Sequence, residues 1–458
     1  MDTRPTEAAE RSAPGSERDC VEAVYRKVTR RLLPFLGLCY LAAYLDRVNV
    51  GFAKLEMAND LGLSEVAYGL GAGIFFIGYF LFEIPSNLIL HRVGARSWLA
   101  RIMISWALVS AASALLAPIH FYWGPRAAAY AFCLIRFLLG IAEAGFFPGV
   151  LLYLTYWYPP SRRSLALGQF IIAQPVAFVI GAPISGLILA TCEGLAGLRA
   201  WQWLYILEAL PAVLLGVVLF RRLDRRVADA AWLRPAERLL VNVAVEAEAS
   251  PGAIEDCTEI ARKPAIWFLA LAYFLLILGA YGLSFWLPSI IAAAGVAGSV
   301  AVGLFTALPY GAGVLVMLVF ASRARTARQA RIYAAAMCLL SAAGLVLSAW
   351  YDGRPWPMMI GMIFGVAGYL TATALFWRLP SEELGGKALA AGLAAVNAIG
   401  NLGGFAGPYL VGAVVARSGG TAPALLVLAG SLAACAAVLA AGLMRNTGSA
   451  SVSAVPGA

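Results

Sequence analysis

The sequence predicts an all-α integral membrane protein whose twelve transmembrane helices form two six-helix bundles. Hydrophobic residues make up 61% of the 458 residues and charged residues only 13%, about half the charged share of a soluble domain. Twelve apolar runs of about 20 residues or more follow one another along the chain. One long polar interruption divides these runs six and six.

Each apolar run is long enough to cross the hydrocarbon core of a bilayer as a helix. The runs are continuous rather than alternating with a period of two, which excludes a transmembrane β-barrel. In chain order, the predicted spans are residues 32-54, 68-90, 97-117, 127-155, 164-190, 201-221, 264-293, 301-321, 331-350, 355-377, 387-415 and 421-444.

The polar stretches between the spans predict the domain organisation. Residues 222-263 form the longest interruption and are interpreted as a cytoplasmic linker between two bundles. The predicted segments are the N-terminal tail 1-31, the first bundle 32-221, the linker, the second bundle 264-445 and the C-terminal tail 446-458.

Positive charge predicts the orientation of the chain. Of the 34 Lys and Arg residues, 27 lie in the tails, the even-numbered loops and the adjacent span ends, and only five lie in the other loops. Because Lys and Arg are enriched in cytoplasmic loops, both termini are expected in the cytoplasm, in a bacterial-type inner membrane. The net charge of +9 then lies beside lipid headgroups. No nucleic-acid-binding motif is present, so nucleic acid is not an expected partner.

The sequence offers no sign of catalysis or of metal binding. The seven cysteines are scattered singly without CxxC spacing, and the two histidines, His91 and His120, fall at or beyond span ends. Neither HExxH nor GxSxG occurs. We therefore expect no metal, no cofactor and no enzymatic activity.

Four charged residues inside two of the spans mark the candidate functional site: Asp46 and Arg47 in the first span, and Arg136 and Glu143 in the fourth. A charge at the bilayer centre costs about 2.5 to 3.5 kcal/mol on insertion scales, so it must be paired or face a polar cavity. Arg136 and Glu143 are seven residues apart and lie on one helix face, whereas Asp46 and Arg47 are adjacent and point about 100° apart. A purely structural ion pair between helices is the alternative interpretation.

These residue types indicate transport of an anion. The planar fork of an arginine binds both oxygens of a carboxylate at once. A buried carboxylate is a natural proton carrier, because burial disfavours its charged form. Since neither histidine lies within a span, proton coupling would have to use Asp46, Glu143 or both. Glu83 is interpreted as a gating or capping group, and Glu208 in the sixth span is left without a role.

Several motifs resemble the anion:cation symporter family of the major facilitator superfamily, over roughly residues 32 to 445. The motifs that carry the resemblance are YLDRVN at 44–49, GIFFIGYF at 73–80, EIPSN at 83–87, AEAGFFPG at 142–149, YGLSFWLP at 281–288 and NAIGNLGG at 397–404. The resemblance implies proton-driven uptake of small organic anions such as tartrate, sugar acids or aromatic acids. It implies alternating access through twelve helices.

The resemblance also assigns roles to residues of this sequence. It implies Arg47 as the carboxylate anchor, Asp46 and Glu143 as protonatable groups, and Arg136 as a partner of these carboxylates. Further cavity residues are expected to contact the substrate: Tyr44, Tyr79, Gln174, Asn397 and Trp377. For the tyrosines and Asn397 the alternative is a polar group satisfied between helices. For Trp377 it is the aromatic belt at the membrane interface.

Three questions stay open at the level of sequence. Two buried carboxylates allow up to two protons per transported anion, but an exchanger or uniporter of the same fold would keep the arginines without proton coupling. A membrane-embedded sensor is a further alternative. Arg378, at the end of the tenth span, either extends to the inner surface or reaches the cavity as a second arginine.

The expected partners are a small organic anion, protons and the lipid bilayer, and a monomer suffices for this fold.

Overall fold

The computed structural model describes residues 14–247, 263–380 and 388–452, and all regular structure in these ranges is helical. It contains fifteen α-helices and three short 3₁₀ helices there. The α-helices are α1 (Pro14–Asp60), α2 (Glu65–Val93), α3 (Ala95–Ala111), α4 (Leu116–Glu143), α5 (Phe146–Thr155), α6 (Pro160–Ile171), α7 (Ala173–Thr191), α8 (Ala200–Arg222), α9 (Pro235–Ala247), α10 (Pro264–Ala293), α11 (Ser299–Arg323), α12 (Ala327–Trp350), α13 (Pro355–Phe376), α14 (Ala388–Ser418) and α15 (Ala422–Val452). The predicted all-α class is confirmed.

Eleven helical stretches in the described ranges are long and apolar enough to cross a membrane. The longest, Ala95–Thr155, has 61 residues, and as one straight helix it would be about three times as long as the hydrocarbon core is thick. Gly124 interrupts it with non-helical torsion angles (φ 80°, ψ 179°). This stretch therefore makes two crossings, which gives the twelve predicted spans.

Two of the predicted spans are not single helices. The fourth, 127-155, breaks after Glu143 into α4 and α5, because Ala144 leaves the helical region and Gly145 is left-handed (φ 89°). The fifth, 164-190, is divided into α6 and α7 at Ile172. Pro175, just beyond this division, lacks the N–H that would continue the helical hydrogen bonding. Neither break changes the hydropathy, so the apolar pattern does not reveal them.

The polar segments contain more helix than the spans alone predict. α1 begins at Pro14, well before the predicted span at residue 32, and α15 continues to Val452. The predicted linker contains α9. Parts of the predicted tails, linker and eleventh span lie outside the described residues (1–13, 248–262, 381–387 and 453–458), and the domain boundaries remain a prediction.

The two bundles meet through α1, α2 and α7 on one side and α10, α11 and α14 on the other. Their closest approaches lie far from α9, at an end of the molecule that we call the closed end. A Cβ added to Gly69 on α2 would lie 2.5 Å from the carbonyl oxygen of Pro408 on α14. One added to Gly303 on α11 would lie 2.5 Å from the carbonyl oxygen of Ala182 on α7. Glycines thus allow backbone contact between the bundles here.

A buried lysine strengthens the closed end. Lys54 on α1 forms an ion pair with Glu65 at the start of α2, with 2.7 Å between Nζ and Oε2. The same Nζ lies 3.8 Å from the ring centroid of Trp286 on α10. Tyr68 on α2 donates a hydrogen bond to the carbonyl of Phe285, at 3.0 Å. The bundles are therefore held together here by a cation–π contact and a hydrogen bond as well as by packing.

Replacing Gly69 with leucine should open the closed end, because the side chain would occupy the space of the Pro408 carbonyl. The measurement is the distance between spin labels at Asn59→Cys and Ala422→Cys, in a chain whose native cysteines are replaced. The mean distance is expected to increase in Gly69→Leu. Gly430→Leu is the matched control, since no atom lies within 4 Å of a Cβ added there. An unchanged distance in Gly69→Leu would contradict the role of this contact.

Candidate functional site

A cavity of about 890 Å³ lies between the two bundles. Its volume is within the range of small-molecule sites, about 300 to 1,000 Å³. It extends from the middle of the helices to Arg325, Thr326 and Arg378, which lie at or just beyond the ends of α11 and α13. These positions are at the opposite end of the molecule from the closed end. The cavity is thus accessible from one side and sealed from the other.

Arg47 provides the positive charge of the cavity wall. Its Nη2 donates to Glu143 Oε1 in an ion pair, and its Nη1 donates to the hydroxyl of Tyr281 at 2.9 Å. The guanidinium carbon lies 4.6 Å from the ring centroid of Tyr44 and 5.1 Å from that of Phe75. The ion pair is buried, with 10% and 4% of the two side chains exposed. Arg47 therefore reaches the cavity with its charge balanced by one carboxylate.

The break in the fourth span explains the position of Glu143. This residue is the last of α4, where the helix dipole disfavours a negative charge, so the pairing with Arg47 has to compensate. Ser86 on α2 donates a hydrogen bond of 2.6 Å to the carbonyl of Ala144. A Cβ added to Gly145 would lie 2.2 Å from the Ser86 hydroxyl oxygen. The motifs at 83–87 and 142–149 thus meet and fix the end of α4.

Asp46 is directed away from the cavity, as its adjacency to Arg47 on the helix requires. Its Oδ1 accepts hydrogen bonds from Ser110 on α3 and, at 3.2 Å, from Asn49. Asp46 is 3% exposed and is absent from the cavity lining. It belongs to a polar cluster inside the first bundle, which we call the inner cluster.

Arg136 also lies in this inner cluster. It is 1% exposed, interacts electrostatically with Asp46, and forms no ion pair within 4 Å among the described residues. Its guanidinium carbon lies 5.2 Å from the ring centroid of Phe75, the same ring that lies against Arg47. Phe75 is thus the shared neighbour of the two arginines.

All five of the other expected substrate-contacting residues line the cavity: Tyr44, Tyr79, Gln174, Asn397 and Trp377. Asn397 on α14 donates to Glu83 on α2 at 3.3 Å, which connects the two bundles near the open end of the cavity. Trp377 packs edge-on against Tyr273, with 4.9 Å between ring centroids. Arg378 lies at the cavity mouth and donates from Nη1 to the carbonyl of Ala324.

The assignment from sequence missed Tyr281. This residue belongs to the motif at 281–288, yet an uncharged tyrosine in an apolar span looks like ordinary packing. Its hydroxyl accepts from Arg47 and lies 3.5 Å from the hydroxyl of Tyr44. The one available signal was its depth in the seventh span, where a buried tyrosine hydroxyl requires a hydrogen-bonding partner. Tyr281 brings the second bundle into contact with Arg47.

The geometry is that of a membrane transporter: two helical bundles surround a polar cavity that is accessible from one side. Comparison with known proteins agrees. Residues 36–408 match the model of the Major Facilitator Superfamily, and the chain belongs to this family. It is a multi-pass membrane protein and a transporter, which confirms that it is not an enzyme.

Relatives and solved structures extend this comparison. The chain is 40% identical over 416 residues to "Putative metabolite transport protein NicT" of Pseudomonas putida, covering 90% of this chain and 92% of the relative. It is 41% identical over 416 residues to "Putative tartrate transporter" of Agrobacterium vitis, covering 90% of each. The xylose transporter XylE from E. coli, in a partially occluded inward open conformation, superimposes with a TM-score of 0.68 at 13% identity. That alignment covers 89% of this chain and 97% of XylE.

Replacing Gly145 with alanine should destabilise the protein. The substitution places a Cβ against Ser86 and holds a non-glycine residue in the left-handed region, which alone costs about 1 to 2 kcal/mol. The expected result is a lower midpoint of thermal unfolding in detergent. Gly311→Ala is the control, since it adds a Cβ in open space and should leave the midpoint unchanged or raise it. Equal midpoints for Gly145→Ala and wild type would disprove the proposed fit.

Proposed function

We propose that this transporter takes up a small organic carboxylate anion together with protons, by alternating access. The observation that carries the proposal is the ion pair of Arg47 and Glu143 in the cavity wall. A fixed arginine there attracts an anion, and a carboxylate paired with that arginine can be neutralised by a proton. The two properties of one ion pair provide both anion binding and proton coupling.

The N–H donors of the Arg47 guanidinium explain how a substrate carboxylate would bind. One edge of its guanidinium is occupied by Glu143 and Tyr281 in the structure. Protonation of Glu143 removes the negative charge that balances Arg47, and a substrate carboxylate can then take its place. The substrate binds through two parallel hydrogen bonds, the geometry that arginine favours. Release of the proton restores the original ion pair and expels the anion.

The surrounding residues suit a small acid with further polar or aromatic groups. Gln174 and Asn397 supply amides, and Tyr44, Tyr79 and Trp377 supply aromatic surface. One relative is named as a tartrate transporter, which makes a hydroxylated dicarboxylate a natural first substrate to test.

We infer the direction from charge and geometry together. If the positively charged loops face the cytoplasm, the cavity opens inward and the closed end faces outward. Both termini and the linker 222-263 would then be cytoplasmic, in a bacterial-type inner membrane. Transport requires the contacts at Gly69 and Gly303 to separate while the cavity mouth closes. A monomer contains every part that this cycle needs.

Asp46 is proposed as the second protonatable group. With two protons, a monoanion enters with one net positive charge, and each 100 mV of membrane potential adds about 2.3 kcal/mol of driving force. With one proton the same transport is electroneutral. For a monoanion, the dependence of uptake on voltage therefore reports whether Asp46 takes part. For a dianion such as tartrate, uptake with two protons is electroneutral, and uptake with one proton is opposed by an inside-negative potential.

Uptake of labelled organic acids into proteoliposomes tests the proposal. The panel is tartrate, galactonate, glucarate, phthalate and 4-hydroxyphenylacetate, with imposed pH gradients and voltages. Wild type should concentrate one class when the outside is acidic. With two protons per anion, an inside-negative voltage should increase the accumulation of a monoanion further and leave that of a dianion unchanged. Arg47→Ala and Glu143→Gln should both abolish concentration, because the first removes the anchor and the second removes the proton carrier.

Two control variants show whether the loss of any charged side chain impairs uptake, or only the loss of Arg47 or Glu143. Arg199→Ala and Glu193→Gln change an exposed ion pair, at 3.1 Å and outside the cavity, and should transport normally. A Glu143→Gln protein that still concentrates substrate, or uptake indifferent to both gradients, would indicate an exchanger or uniporter instead.

Replacing Tyr281 with phenylalanine tests whether the second bundle helps to hold the anchor. The hydroxyl that accepts from Arg47 is lost, so the guanidinium is less well oriented toward the anion. A hydrogen bond to a charged group contributes about 1.5 to 3 kcal/mol, which corresponds to a rise in apparent KM of about tenfold or more. Tyr333→Phe, outside the cavity, is the control. An unchanged KM in Tyr281→Phe would exclude this contribution.

A further inference from the structure

Three hydroxyl groups of the second bundle form a hydrogen-bonded cluster that the transport scheme does not use: Ser284 on α10, Tyr310 on α11 and Tyr369 on α13. We call it the hydroxyl cluster. Ser284 and Tyr369 line the cavity, whereas Tyr310 is fully buried and does not. The ring of Tyr310 stacks on Phe178 of α7, with 4.2 Å between ring centroids. The hydroxyl cluster is therefore fixed by packing as well as by hydrogen bonds.

The distances assign the protons within the hydroxyl cluster. Ser284 Oγ donates to the carbonyl of Ala280 at 2.7 Å, and Tyr310 donates to Ser284 Oγ at 2.9 Å. The hydroxyl oxygen of Tyr369 lies 3.2 Å from Ser284 Oγ. A serine hydroxyl has one proton and two acceptor lone pairs. Because the shorter bond to Ala280 uses that proton, Tyr369 is the donor in its hydrogen bond with Ser284.

The cavity wall therefore offers oxygen atoms whose protons are directed into the protein. Tyr369 donates to Ser284 and keeps an acceptor lone pair on its own oxygen. Thr373, one turn further along α13 and also in the lining, donates to the carbonyl of Tyr369 at 2.8 Å. Among the described residues, the charged residues that line the second bundle's side of the cavity are Arg325 and Arg378, both at the mouth. The wall between the mouth and the closed end thus accepts hydrogen bonds and carries no positive charge.

An acid bound at Arg47 can reach this part of the wall. Tyr281 accepts a hydrogen bond from Arg47, and Ser284 follows Tyr281 by three residues on α10. Side chains three residues apart share a helix face, with about 5 to 6 Å between their Cβ atoms. The hydroxyl cluster is therefore within the length of a small organic acid whose carboxylate lies on Arg47.

We infer that Ser284, Tyr369 and Thr373 form a subsite for a hydrogen-bond donor of the substrate. The donor is a hydroxyl group, carried a few bonds away from the carboxylate on Arg47. A second carboxylate is rejected, because a negative charge beside acceptor oxygens is strongly disfavoured where water is excluded. The substrate class is then a hydroxylated monocarboxylate. The inference deepens the proposed function, on which it rests for the position of the first carboxylate at Arg47.

Binding of matched acids to the full-length wild-type protein tests this selectivity. Threonate and tartrate share a hydroxylated four-carbon chain and differ at one end, a hydroxymethyl group against a second carboxylate. Galactonate and galactarate are the corresponding six-carbon pair. Calorimetric titration in detergent at pH 7 should give a Kd at least about tenfold lower for the monocarboxylate of each pair, since a site that hydrogen-bonds a hydroxyl group rejects an analogue without it. Equal or tighter binding of a dicarboxylate, or no binding of either monocarboxylate, would overturn the inference.

Replacing Ser284 with alanine tests the assignment of the protons. The variant removes the oxygen that accepts from Tyr369, so the tyrosine hydroxyl becomes free to donate into the cavity. The ratio of the Kd of tartrate to that of threonate should therefore fall by about fivefold. Ser431→Ala is the matched control, because Ser431 also donates to a backbone carbonyl but lies on α15, outside the cavity. An unchanged ratio in Ser284→Ala would show that Tyr369 does not donate to Ser284, and the inference would be wrong.

Replacing Tyr369 with phenylalanine removes the acceptor oxygen and keeps the ring. The Kd of threonate should rise by about fivefold to tenfold, since one hydrogen bond to the substrate is lost. The Kd of tartrate should stay unchanged or fall. A merely structural role of Tyr369 would weaken the binding of both acids equally, and that result would contradict the subsite.

The subsite and the proposed function can fail separately. Threonate that binds at least tenfold more tightly than tartrate, but is not concentrated by a pH gradient, would contradict proton coupling and support the subsite. Proton-driven uptake of tartrate in preference to threonate would support the proposed function and overturn the subsite. If Arg47→Ala binds threonate as tightly as wild type, the carboxylate anchor is wrong and the subsite falls with it. The comparison of acids in wild type needs no variant, so it decides the inference even if a variant does not fold.

Discussion

The site depends on one constraint: an arginine inside a membrane protein must have its charge balanced. Arg47 meets this requirement with Glu143, and the aromatic rings of Tyr44 and Phe75 lie against the guanidinium. Because the surrounding dielectric is low, removing the partner charge has a large effect on what else the arginine can bind. In the proposed cycle, a proton on Glu143 and an anion on Arg47 are therefore linked by electrostatics alone.

Helix geometry explains why the polar residues are divided between two places. Adjacent positions on α1 point in different directions, so Arg47 faces the cavity and Asp46 faces the inner cluster. The ring of Phe75 lies between the two places, against Arg47 of the cavity wall and Arg136 of the inner cluster. This arrangement places one carboxylate in the cavity wall and another behind that wall. In the proposed cycle, a proton exchanged at Asp46 can then influence Arg47 without blocking it.

The proposed alternating access relates the site to the whole fold. Tyr281 of the second bundle accepts a hydrogen bond from Arg47 of the first, so Arg47 lies where the bundles meet. At the closed end, glycines bring backbones together and Lys54 lies against Trp286. Near the open end, Asn397 and Glu83 form a polar contact between bundles. In the proposed cycle, substrate binding at Arg47 can therefore change the relative stability of the bundle contacts at the closed end and at the open end.

The twelve spans and the charged positions were predictable from sequence because both depend on the cost of polar groups in lipid. The motif resemblance also identified the cavity residues Tyr44, Tyr79, Gln174, Asn397 and Trp377. The break after Glu143 was not predicted, since it depends on the torsion angles of Ala144 and Gly145 rather than on hydropathy. The contact of Asp46 with Ser110 and the position of Arg136 near Asp46 were not predictable either, because each joins residues of different helices.

Proton uptake on substrate binding distinguishes the proposed exchange on Arg47 from anion binding alone. Calorimetric titration of the purified protein with its organic anion, in buffers of different ionisation enthalpy at one pH, gives the number of protons taken up per anion bound. We expect uptake of up to about one proton through Glu143, and a correspondingly smaller value in Glu143→Gln. Tight binding with no proton uptake, or the same uptake in Glu143→Gln, would contradict the exchange of Glu143 for substrate on Arg47.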